Sequence, residues 1–329
     1  MLSPMTRILG YHIDEVLVLG TRSSVYRGTR VSDNAPVILK VVDSQRATLK
    51  NVARLKHEYE IIKLLKHDAL IKAYGLEKHD HLLMLVLEDI GGISLFRYLK
   101  DRAISTWQAL EIYIKAARQL GIIHGFQVVH KDINPTNIVL NPKTGDVRIT
   151  DFSISTQLAR ENPYHLDDHF EGTLAYISPE QTGRMNRDLD YRSDFYSLGM
   201  SLYETLARRL PFTPREPMEL IHCHLARVPV NPSMFNSEIP GMISEIVLKL
   251  ISKNAEDRYQ SSKGIIYDLQ KCLNAYKSMG HVEYFPPGEH DTNMKLSLPQ
   301  KIYGRDGECS QLLELYEKVK GGSVEVLIL

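Results

Sequence analysis

Five polar side chains stand where phosphoryl chemistry could use them. Lys40 closes the apolar run Val37-Ile38-Leu39, and Glu58 opens Glu58-Tyr59-Glu60-Ile61-Ile62-Lys63-Leu64-Leu65-Lys66-His67. Asp132 and Asn137 share the segment His130-Lys131-Asp132-Ile133-Asn134-Pro135-Thr136-Asn137, and Asp151 begins Asp151-Phe152-Ser153. Moving a phosphoryl group needs a cation on the nucleotide phosphates, carboxylates for Mg2+, and a group that orients the attacking hydroxyl. The five residues contain each of those parts. None decides the matter alone. An Asp-Phe-Ser after a strand is most often a surface turn, and a lysine closing a strand is most often a solvated edge charge. Ser178-Pro179-Glu180, Asp194-Phe195-Tyr196-Ser197-Leu198-Gly199 and Arg258 follow in order, and the series carries more weight than any member.

The elements that must position these residues are written in the apolar pattern. Val16–Leu19, Val25-Tyr26, Val37–Val42 and Leu82–Leu87 read as strands. Val52–Lys66 carries Leu55, Tyr59, Ile62 and Leu65 at helical spacing, and Gly91-Gly92 then breaks the pattern. From Leu95 onward helices dominate: Thr106–Phe126 with Ser105 or Thr106 as N-cap, Asp194–Arg209, Ile243–Ser252 and Lys263–Tyr276. A strand-like segment over 128–140 and another over 147–150 flank a polar loop. This order predicts an α+β chain of two lobes. The small lobe, about 11–88, is β-rich with one helix, and the mainly helical lobe spans about 91–276. Gly280–Pro299, with Pro286-Pro287-Gly288, reads as an exposed linker within 277–299. A helix signal at Glu308–Lys318 and a strand at Val324–Leu329 are too little to enclose a core.

In this order and spacing the motifs resemble a eukaryotic-type serine/threonine protein kinase domain over about residues 11–276. The resemblance implies a bilobal kinase fold, ATP and Mg2+ as cofactors, and a protein serine or threonine hydroxyl as acceptor. Lys40 then lies on the phosphates and Glu58 is the helix carboxylate that pairs with it; Glu60, two residues on, faces elsewhere. Asp132 orients the hydroxyl, Asn137 and Asp151 hold Mg2+, and Thr173 hydrogen-bonds the catalytic aspartate. Leu87 falls at the gatekeeper place, with Glu88 and Ile90 giving backbone groups to adenine. Arg258 is expected to pair with Glu180. The phosphate-covering loop reads Val18-Leu19-Gly20-Thr21-Arg22-Ser23-Ser24-Val25, which puts Val18, Gly20, Ser23 and Val25 at the nucleotide.

The segment from Glu171 to Arg187, together with His130–Asn137, is similar to the N-terminal kinase domain of large bacterial multi-sensor signalling kinases. In those proteins an AAA-type ATPase region, a GAF sensor and a histidine kinase follow. Ile302-Tyr303-Gly304-Arg305-Asp306 is similar to the opening of that ATPase region, so 300–329 is expected to be the start of an incomplete, truncated ATPase domain. No GxxxxGK[ST] is present to bind nucleotide there.

Five positions, Val18, Ser23, Lys131, Asn134 and Ser153, depart from the family. Only the middle glycine of the phosphate loop survives, as Gly20, and glycine is what lets backbone N–H groups approach phosphates closely. Asn134 stands for a lysine aimed at the γ-phosphate, Lys131 for the arginine that grips a phosphorylated activation loop, and Ser153 for a glycine. These departures define the rival class, a regulatory module that loads ATP or merely keeps the fold. His165, Asp167, Asp168 and His169 form no closed ligand set and read as a polar loop.

Forty basic residues balance forty acidic ones, which gives no reason to expect nucleic acid or an anionic membrane as partner. The longest apolar runs are far below membrane-spanning length. Cys223, Cys272 and Cys309 are too dispersed for a disulfide framework, so a reducing, cytoplasmic setting is expected.

Overall fold

The computed structural model describes residues 7–8, 10–20, 23–45, 47–100, 102–157, 172–185 and 187–292. The expected tail over 300–329, Cys309 and the His165–His169 loop lie outside the described residues. The first lobe is a six-stranded antiparallel sheet with one helix. Its strands are β1 (Arg7–Ile8), β2 (Tyr11–Leu19), β3 (Ser24–Arg30), β4 (Pro36–Asp43), β5 (Ala73–His79) and β6 (Leu82–Glu88), in the order β1-β2-β3-β4-β6-β5. Helix α1 (Leu49–Leu64) enters between β4 and β5, capped by the Thr48 hydroxyl. The two-residue period of β4 sorts its side chains. Val37, Leu39 and Val41 join Tyr26, Met84 and Val86 in one small core. Lys40 is thereby turned to the other face, where Ile38 and Val42 meet the main core.

The second lobe begins with β7 (Ile93–Ser94) and α2 (Leu95–Lys100). The long α3 (Thr106–Gly125) is started by a Ser105–Gln108 capping box and is buried along Ala109, Tyr113, Ala116, Leu120 and Ile123. Next come β8 (Val128–Val129), β9 (Ile138–Leu140), β10 (Val147–Ile149) and β11 (Thr156–Gln157). The segment expected as one strand over 128–140 is two strands, because the polar run His130–Asn137 turns away between them. Helices α4 (Arg192–Ala207), α5 (Pro217–Ala226), α6 (Gly241–Leu250) and α7 (Ser262–Met279) complete the lobe. Cys223 and Cys272 are buried free thiols.

One expected feature is different. Residues 281–292, expected as the first part of an exposed linker, lie against the helical lobe. Phe285 is 7% exposed and joins the main core, and the Gly288 amide donates to Asp268 (2.6 Å). Asp291 accepts from the Ser261 hydroxyl (2.6 Å) and from the Gln260 amide. Pro286-Pro287-Gly288 makes a turn that delivers Asp291 to the start of α7, a role the proline and glycine content cannot distinguish from a loose linker.

Candidate active site

The inner face of α1 is defined by Leu55, Glu58, Ile61 and Ile62, all buried. A carboxylate on such a stripe is costly unless a cation meets it. Lys40 does so: its Nζ lies 2.7 Å from Glu58 Oε2 and 2.9 Å from Asp151 Oδ1. Glu60 is exposed on the opposite side. Burial opposes the charge on Lys40, but the two carboxylates outweigh it and raise its pKa. Burial also dominates at Glu58, which is pushed up to about 7 although Lys40 pulls the other way. At Asp151 burial is outweighed by Lys40, and the carboxyl is held at about 2. One cation thus keeps Asp151 ionised while Glu58 titrates near neutrality.

Asp151 is itself in the left-handed region, φ 68°. Phe152 beside it is fully buried and meets the His130 ring edge-on at 4.8 Å. Ser153 has no positive φ, so serine stands in the glycine's place without backbone strain.

The loop between β8 and β9 hangs on Asp194, at the start of α4. Its buried carboxylate accepts from the backbone amides of His130 (2.9 Å) and Lys131 (2.8 Å), and lies 2.8 Å from His124 Nε2. Burial works against that charge, yet these partners hold the pKa below its usual value. So anchored, the loop presents Asp132. Asp132 Oδ1 accepts from the Asn134 side-chain amide (3.0 Å) and from the Thr173 backbone amide (3.0 Å). Asp132 Oδ2 accepts from the Asn137 side-chain amide (3.0 Å).

Two residues complete the loop. Asn134 is 3% exposed, and its carbonyl accepts from the amides of Thr136 and Asn137, so it braces the loop rather than reaching outward. Thr173 reaches Asp132 through its backbone amide. Its hydroxyl lies 3.4 Å from Asn134 Nδ2, so Asn134 links the two residues.

Ser23, Lys40, Glu58, Asp132, Asp151 and Thr173 line a single cavity of about 360 Å³. Asn137 joins them through Asp132. Val18, Gly20, Val25, Leu87, Glu88 and Ile90 do not line that cavity. They sit on the β2–β3 hairpin and at the end of β6, on the way to the second lobe, with Val18 paired to Val25 and Val25 to Lys40. Leu87 is buried, the Glu88 amide donates to Lys72 O (2.9 Å), and the Ile90 carbonyl accepts from Asn141 (2.6 Å). The cavity therefore gathers Lys40, Glu58, Asp132, Asp151, Thr173 and, of the expected phosphate loop, Ser23, while the other expected nucleotide contacts lie apart from it.

The protein kinase domain model matches residues 11–266. The chain belongs to the protein kinase domain family. It is 30% identical over 266 residues to the serine/threonine-protein kinase PknB of Mycolicibacterium smegmatis, covering 79% of this chain and 42% of that protein. A probable serine/threonine-protein kinase of Clostridium perfringens is 29% identical over 269 residues, 80% of this chain and 39% of its own. Serine/threonine-protein kinase PrkC of Bacillus subtilis is 27% identical over 274 residues, 82% and 41% respectively. The chain spans about two fifths of the length of these curated relatives. Members of this family use ATP and Mg2+ in general. No helix among the described residues is long and apolar enough to cross a membrane.

The kinase site also contains residues that no motif announced. His57 Nε2 lies 2.6 Å from Ser155 O, tying α1 to the segment between Asp151 and β11. Arg27, Asp89 and Asn141 hold the segment that joins the lobes. A lone histidine on a helix, or an arginine in a strand, carries no signal until the fold supplies its partner.

Proposed function

We propose that this chain is the catalytic domain of an ATP-dependent protein serine/threonine kinase. One observation carries the reading: Lys40 joins Glu58 and Asp151 beside Asp132 around one cavity. Lys40 supplies positive charge to the phosphates of ATP, and Glu58 fixes its direction. Asp132 accepts a hydrogen bond from the acceptor hydroxyl and aligns its oxygen with the γ-phosphorus. The bond from that phosphorus to the β–γ bridging oxygen breaks as the bond to the acceptor oxygen forms. The acceptor's proton leaves through Asp132, and ADP departs. Asn137 and Asp151 offer hard oxygen donors of the kind Mg2+ takes, and Asp151 is held ionised and is 36% exposed. Bound there, Mg2+ would neutralise phosphate charge.

A serine or threonine acceptor is favoured over tyrosine by Thr173, which fits the serine/threonine pattern and lies beside Asp132. The relatives, named as serine/threonine kinases, support the same choice. The resemblance of Glu171–Arg187 and Ile302–Asp306 supports a place ahead of AAA-type ATPase, sensor and histidine kinase regions in a signalling protein.

The test is transfer of radiolabel from γ-labelled ATP to the chain itself and to a basic acceptor protein, followed by identification of the labelled amino acid. Phosphoserine or phosphothreonine, lost in Asp132→Asn, is the expected result. Binding of Mg-ATP with no transfer to any acceptor would instead make this a regulatory module.

A further inference from the structure

The crossing between the lobes is gripped from both sides. Arg27, on β3, spends its guanidinium in three directions. Nε donates to Asp89 Oδ2 (2.8 Å), Nη2 to the Gly92 carbonyl (2.5 Å) and Nη1 to Glu15 Oε2 (2.9 Å). The other oxygen of Asp89 accepts from the Gly91 amide (2.8 Å), and Asn141 of the second lobe holds the Ile90 carbonyl (2.6 Å). Glu15 also accepts from Arg97 on α2 (3.0 Å), which closes a chain of charges from the sheet to the helical lobe.

The Asp89 side chain is only 6% exposed, so its bond to Arg27 is shielded from water. Gly92 is wedged: a Cβ there would lie 2.6 Å from Val139 Cγ1 and 3.1 Å from Leu140 O. The backbone of 89–92 thus has one shape, set by side chains that no kinase motif includes.

We propose that Arg27 is a positioning residue for the nucleotide base. It fixes the backbone between Glu88 and Gly92 in the shape that meets adenine, so that the base binds without first ordering the chain. This rests on the kinase reading above, in which Glu88 and Ile90 offer backbone groups to adenine. A guanidinium is required because the three acceptors are met by three separate nitrogens, a spread that the single nitrogen of an ammonium group cannot span.

The experiment uses the full chain and three measurements: ATP affinity by calorimetry, transfer kinetics, and affinity for tripolyphosphate, which shares the phosphates of ATP and lacks the base. Arg27→Met should raise the Kd and KM for ATP about tenfold, the worth of one charge-assisted hydrogen bond. The kcat, the KM of the protein acceptor and the tripolyphosphate affinity should stay within about twofold of wild type. Arg27→Lys should resemble Arg27→Met more than wild type. Should Arg27→Met fail to fold, Asp89→Asn, which keeps shape and removes the charge, should still weaken ATP selectively. Unchanged ATP affinity in a folded variant overturns the role of Arg27 alone. Equal loss of ATP and tripolyphosphate also overturns it, because the effect would not be on the base. A wild-type chain that binds tripolyphosphate and ATP equally, or neither, overturns the kinase reading and this proposal with it.

Discussion

Glu58 sits on the inner face of α1 at 1% exposure, and its charge depends on Lys40. Its folded pKa of about 7 lies above the ordinary 4.5 because burial dominates. The folded chain therefore keeps a proton that the unfolded chain releases. The stability this contributes is present below about 4.5 and is lost as pH rises through 7. Function runs the other way, since Lys40 needs the charged carboxylate to hold it. Phosphoryl transfer at saturating ATP should fall as pH drops through about 7, and Glu58→Gln should be slow with that limb flattened; a kcat–pH profile of both proteins checks this. Asn134 gives a second test. Removing its amide takes one donor from Asp132 and one from the Thr173 hydroxyl, and takes the side-chain acceptor from the Thr136 and Asn137 amides, so Asn134→Ala should destabilise the fold by about 1–3 kcal/mol, seen in urea unfolding. It should lower kcat more than it weakens Mg-ATP binding, because Asp132 acts chiefly on the incoming hydroxyl. The sequence motif placed Asn134 correctly and gave no direction for its side chain. Spacing names the residue, but only packing says that it points into the loop.

At the scale of elements, Glu180 and Arg258 join the turn before α4 to the segment before α7. Arg258 is almost fully buried, donates twice to Glu180 (2.7 and 2.9 Å), and also donates to the carbonyls of Arg192, Ser252 and Lys253. Burial alone would raise the Glu180 pKa, yet Arg258 outweighs it and holds the carboxyl at about 2. The pair's stabilisation is therefore present above the ordinary 4.5 and is lost as pH falls from there toward 2. Glu180→Ala strands a buried guanidinium and should cost about 3–5 kcal/mol, measured as a drop in Tm at neutral pH that narrows on acidification. This pair was legible in the sequence, as were β4, α1, α3, α4 and α7, because each has a strong period or a cap. Strand β5 (Ala73–His79) was not, since Gly75, Glu77 and Lys78 interrupt its alternation and pairing with β6 decides it. The short β7 and α2 were missed for a related reason: two and six residues are too few for a period to show.

For the whole lobe, the decisive extension is the strap over 281–292, which lies beyond the family match ending at 266. Asp291 takes up the Ser261 hydroxyl and the Gln260 amide, next to Arg258 and at the N-terminus of α7, where a carboxylate is favoured. Asp268 accepts both the Tyr259 hydroxyl (2.6 Å) and the Gly288 amide (2.6 Å), so the strap shares a buried carboxylate with the core. Phe285 fills a position beside Met242, and Lys271 lies 4.0 Å above its ring centroid. Cutting the chain after Met279 would remove Phe285, Gly288 and Asp291 together. It would expose an apolar wall, leave Asp268 short of a donor, and free the start of α7. A chain ending at Met279 should therefore be less stable than one ending at Thr292 by about 2–5 kcal/mol, the range for loss of a buried aromatic with its neighbours. Asp291→Ala in the longer chain should reproduce about 1–2 kcal/mol of that difference, as the loss of a helix-start carboxylate does. Urea midpoints of the three proteins check this. Equal midpoints for the two chain lengths would mean that the strap rests on the lobe without stabilising it, and the fold would end with α7.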